Sequence, residues 1–131
     1  MPRDEPFQYA LWRVVPDVER GERINAGVVL FARTLDFLGA MVHLDRERLA
    51  RLAPGADADA VERYLASLAG VAAGDPAAGP MAALAAHQRF HWLTAPVSTI
   101  VQPSEVHTGV CTDPRAALER LFRRLVASPE R

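Results

Sequence analysis

Lysine is missing from this 131-residue chain, whose 15 basic residues are all arginine. A P-loop needs a lysine beside the β- and γ-phosphates, and a Schiff-base enzyme needs an amine that can lose its proton, so both chemistries are excluded. The same lack leaves Pro16-Asp17 without the lysine that would complete a restriction-nuclease pattern. Cysteine occurs once, at Cys111, which rules out an internal disulfide and a cysteine-built zinc site and suits a reducing compartment. No apolar run approaches the roughly 20 residues of a membrane span. The opening MPRDEPFQYALW is acidic where a signal peptide would be basic and then apolar, so a cytoplasmic location is expected. Charge of one sign is not in surplus either. The formal net charge is -1 and the pI near 6.4, which gives no bulk attraction to nucleic acid or to anionic lipid.

What is present is an ordinary globular composition, 50% hydrophobic and 24% charged. The length suits one domain, residues 1–131, with its own core across 7–126. FQYALWRVV, 7–15, reads as a strand that puts Phe7, Tyr9 and Leu11 on one face. INAGVVLFAR, 24–33, and FLGAMVHLD, 37–45, read as an antiparallel hairpin, with Gly27 marking a kink across Asn25 to Gly27. Asp45 and Asp57 are placed to cap two helices, and Val61, Tyr64, Leu65 and Leu68 form the buried stripe of the second. Pro80 opens a third helix through MAALAAHQRF, VSTIV, 97–101, is a fourth strand, and Asp113-Pro114 caps the last helix. The expected architecture is α+β: a mostly antiparallel four-stranded sheet with helices packed on one side, in the order β-β-β-α-α-α-β-α.

Four features invite a chemical reading. His87 and His91 have helical metal-ligand spacing, but Gln88 stands where a zincin has its catalytic glutamate, so polar or interface histidines are the simpler reading and no metal or cofactor is assigned. Cys111 precedes a helix cap, and packing explains it more simply than reactivity. Arg120, Arg123 and Arg124 form the polar face of the last helix. In DVERGERIN, 17–25, the residues Arg20, Glu22, Arg23 and Asn25 converge where the bulged strand starts. With Arg13 they form an anion site or, more simply, surface ion pairs.

The most unusual stretch is FHWLTAPVSTIVQPSEVHTGV, 90–110, rich in hydroxyls, with a tryptophan and two histidines. Buried polar groups on such a strand need partners. Two readings stay open: a hydrogen-bonded network, or a cleft in which Trp92, Ser98, Thr99, Gln102, His107 and Thr108 meet a polar ligand or a peptide.

The succession YALWRVVPDVERGERINAGVVLF, then FHWLTAPVSTIVQPSEVHTGVCTDP and a closing helix, resembles the bacterial domain-of-unknown-function family three-zero-three-seven. The likeness runs from Phe7 to Val126, with nothing distinctive across 46–80. It adds His91 and Thr94 to the candidates above and transfers no catalytic residue. It also implies neighbourhood with HipA-like kinases, hence an accessory role. The expected function is a non-enzymatic interaction module, with a HipA-like kinase as partner. The alternative is a small enzyme or an anion- or nucleotide-binding domain in which Arg13, Arg23 and Asn25 hold negative charge and His91 or His107 moves protons.

Overall fold

The computed structural model describes residues 3–127. Its elements are β1 (Glu5–Val14), β2 (Ile24–Ala32), β3 (Phe37–Val42), α1 (Arg46–Leu52), α2 (Ala58–Ala73), α3 (Ala86–Leu93), β4 (Val101–Pro103), β5 (His107–Cys111) and α4 (Pro114–Leu125). The fold is α+β, with an antiparallel sheet of five strands rather than four. The order runs β3-β2-β1, and the outer side of β1 is shared by β5, against Glu5 to Tyr9, and β4, against Trp12 to Val14.

The helices do not lie on one side. Both faces of β1 and β2 are apolar, and side chains alternate across a strand, so a single helical layer would leave half of them in water. Ala10, Trp12, Val14, Val29 and Phe31 face α1, α2 and α3. Phe7, Leu11, Val28 and Leu30 face α4 through Ala117, Leu118 and Leu121. Trp12, 1% exposed, anchors the first core and donates its indole N–H to the Leu93 carbonyl at the end of α3 (3.0 Å).

The kink expected at Asn25 to Gly27 is a bulge. Leu11 pairs with Val28 and Trp12 with Gly27, but Arg13 pairs with Asn25, so Ala26 is the extra residue. Gly27 is needed there because a Cβ would lie 2.8 Å from the Trp12 ring. Asp45, Asp57 and Asp113 each accept from a first-turn amide, of Arg48, Ala60 and Ala116 respectively. These are the caps their positions predict.

Three expectations are corrected. The third helix is two pieces, a 3-10 turn at Pro80–Ala83 and α3, separated where Leu84 is extended. Tyr64 leaves the buried stripe of α2: Val61, Leu65 and Leu68 are buried, but Tyr64 is 41% exposed. Residues 97–100 are irregular and the fourth strand begins at Val101. Thr99 Oγ1 donates to the Val101 carbonyl and Gln102 Nε2 to the Thr99 carbonyl, local bonds that compete with a sheet ladder.

Candidate functional site

The sheet puts one group of the thirteen candidate side chains on each of its faces and leaves the rest apart. On the side of α1–α3, Phe90 and Leu93 of α3 pack into the core, which turns His91 and Trp92 outward. Thr94 ends the helix and its hydroxyl donates to the Phe90 carbonyl (2.8 Å). Trp92, 43% exposed, overhangs a cavity of about 120 Å³ whose walls include Trp12, Tyr64, Leu68, Val97 and Pro103. The walls are mainly apolar, and Tyr64 and Val97 are also exposed at the rim. Arg89 sets the spacing of α2 and α3: its guanidinium donates to the carbonyls of Val71 and Ala72 at the end of α2, and to that of Leu84. The Ala72 and Leu84 carbonyls gain a donor there, and that of Val71, which already accepts from the Gly74 amide, gains a second.

On the α4 face the strands place three polar side chains in one cross-strand row, Asn25 on β2, Arg13 on β1 and Gln102 on β4. Directly opposed residues of antiparallel strands share a face. Asn25 Nδ2 donates to the Leu125 carbonyl (3.0 Å), tying the end of α4 to this row. Further along the same face of β1, beyond Leu11, Tyr9 opposes His107 with ring centroids 5.3 Å apart. Arg13 is half-buried, its Nε enclosed without an acceptor among the described residues. Burial, then repulsion from Arg23, lowers its pKa, and Glu105 works in the opposite direction. The Glu105 carboxyl is held below its ordinary value, first by its own backbone amide and then by His107.

The remaining candidates stand apart from both groups. Arg20 and Glu22 form an exposed two-point ion pair (2.9 and 3.0 Å) that depresses the Glu22 pKa. Ser98 and Thr99 are exposed in the irregular segment before β4, and Thr108, opposite Gln8 on β5, points away from the face of His107. Among the described residues no group of three His, Cys, Asp or Glu is placed to hold a metal ion. Burial and then Asp113 raise the Cys111 thiol, disfavouring the thiolate a nucleophile would need.

Sequence reasoning passed over Tyr64, Arg89 and Ser104. Tyr64 carried a signal, since a phenol on a helical stripe fits a wet rim as well as a core. Ser104 carried none. It is the buried polar residue between β4 and β5, where its hydroxyl accepts from the Leu11 amide (2.9 Å) and its own amide donates to the Leu11 carbonyl (2.8 Å).

These features define an α+β domain with an apolar cleft on one face of its sheet and an arginine-centred polar row on the other. Residues 9–126 match the family described as protein of unknown function (DUF3037), and the chain belongs to that family. No curated protein and no solved structure matches it. Among the described residues no helix is long and apolar enough to cross a membrane.

Proposed function

We propose that the protein is an interaction module whose Trp92 cleft receives an apolar or aromatic side chain from a protein partner, with a HipA-like kinase as the partner the family resemblance suggests. The observation that carries this reading is the pair of exposed aromatics, Tyr64 and Trp92, at the rim of an apolar cavity floored by buried Trp12 and Leu93. Tryptophan and tyrosine dominate binding energy at protein interfaces because they bury much area at little conformational cost. Size points the same way. Sites for small molecules occupy about 300–1,000 Å³, whereas this cavity of about 120 Å³ suits one anchoring side chain.

The test is a titration of the protein with a purified HipA-like kinase, followed by calorimetry and by Trp92 fluorescence. Both rim residues are exposed, so Trp92→Ala and Tyr64→Ala leave the fold intact, and each is expected to weaken binding by about tenfold or more. Binding undiminished in both variants would remove the cleft from the interface. Absence of binding by the unaltered protein would remove the kinase.

A further inference from the structure

We propose that the α4 face carries a second, separate site, in which Arg13 and Arg23 grip an oxyanion, the carboxylate or phosphate of a ligand, with Gln102 at its border. The strand register builds the site. Arg13 lies at the centre of a row whose neighbours, Asn25 and Gln102, come from the strands on either side, and His107 is on the same face further along, opposite Tyr9 and beyond Leu11.

The row is incomplete in one respect. Among the described residues Arg13 has no carboxylate within ion-pair reach and its enclosed Nε donates to nothing. The contrast with Arg20 and Arg46 is informative, since both are exposed and each holds a carboxylate. A buried guanidinium N–H without an acceptor is costly, and arginine forks match the oxygens of carboxylate and phosphate. Arg23 stands two residues before Asn25 and acts on Arg13 by repulsion, so two like charges converge, with the Glu105 carboxylate attracted to both but in ion-pair contact with neither. An oxyanion held between them by the outer guanidinium N–H groups reverses the sign of that interaction. Glu105 sits at the border, attracted to Arg13 and to His107, and is fully exposed, where solvent weakens its hold. Asn25 already spends one amide hydrogen on the Leu125 carbonyl and serves to fix the end of α4 beside the site.

The site is independent of the Trp92 cleft, which lies across the sheet. The experiment titrates the full chain with inorganic phosphate in one arm and sodium acetate in the other, at constant ionic strength, while the Arg13 Nε–H resonance is followed by NMR. A saturable shift in either arm, about tenfold weaker in Arg23→Gln and in Arg13→Lys, is expected, and the tighter arm identifies the oxyanion. Arg23 is exposed and outside the ladder, so its variant folds even if substitution of Arg13 disturbs the strand. Trp92→Ala is expected to bind the anion as the unaltered protein does. A linear, unsaturable response in both arms, or one unchanged by Arg23→Gln, overturns the proposal.

Discussion

Ser104 lies 93 residues from Leu11 in the chain and closes its hydrogen bonds from the other side of a broken strand. Its hydroxyl accepts from the Leu11 amide and donates to the Glu105 carbonyl, so one side chain occupies the gap between β4 and β5. Ser104→Ala leaves a buried amide unpaired, and a loss of about 1–3 kcal/mol in urea denaturation is expected. Ser104→Thr keeps the hydroxyl and should recover part of it. Such long-range partners have no local signature, which is why Ser104 was invisible in the sequence while Asp45, Asp57 and Asp113 were not. A cap bonds an amide three residues away and so declares itself in the neighbouring residues.

The strands and helices repeat this division between local and distant causes. Apolar runs located β1, β2 and β3, and the caps located α1, α2 and α4. β5 was missed because Gly109 weakens its strand character. The glycine answers to Phe7, across the sheet: an added Cβ would stand 2.6 Å from the Phe7 ring. Gly109→Ala is therefore expected to cost about 1–3 kcal/mol by overpacking, read as a lower thermal midpoint, and Phe7→Leu in the same chain should relieve it. The break before α3 has a comparable origin. Arg89 reaches back to the Leu84 carbonyl and forward to the end of α2, and these contacts outweigh the helical pattern of MAALAAHQRF.

Placement of helices on both sides of the sheet was legible in principle, because Val28 to Ala32 is apolar at every position and a strand of that kind is covered twice. The division of the candidate site was not. Nothing in residues 90–110 tells that α3 packs on one face of the sheet, carrying His91 and Trp92, while β5 within the sheet turns His107 to the other. Acid brings out another collective property. Glu22, lowered by its bond from Arg20, and Glu105, lowered by its own amide and by His107, both titrate below the ordinary value of 4.5 when folded. A depressed carboxyl contributes stability above its unfolded pKa that is lost as pH falls through the folded one. Denaturation midpoints are thus expected to fall between about pH 5 and pH 3, less steeply in a Glu22→Gln, Glu105→Gln chain.

The divided partner of β1 has a further consequence for how copies of this protein behave together. β4 has three residues and ends at Pro103, which has no amide hydrogen, and Ser104 turns the chain inward before β5 resumes with five. An incoming strand would meet no continuous row of donors and acceptors along that border. Ribbon-like stacking from this side is limited by the backbone itself to the five residues of β5, too short a template to favour fibrils there.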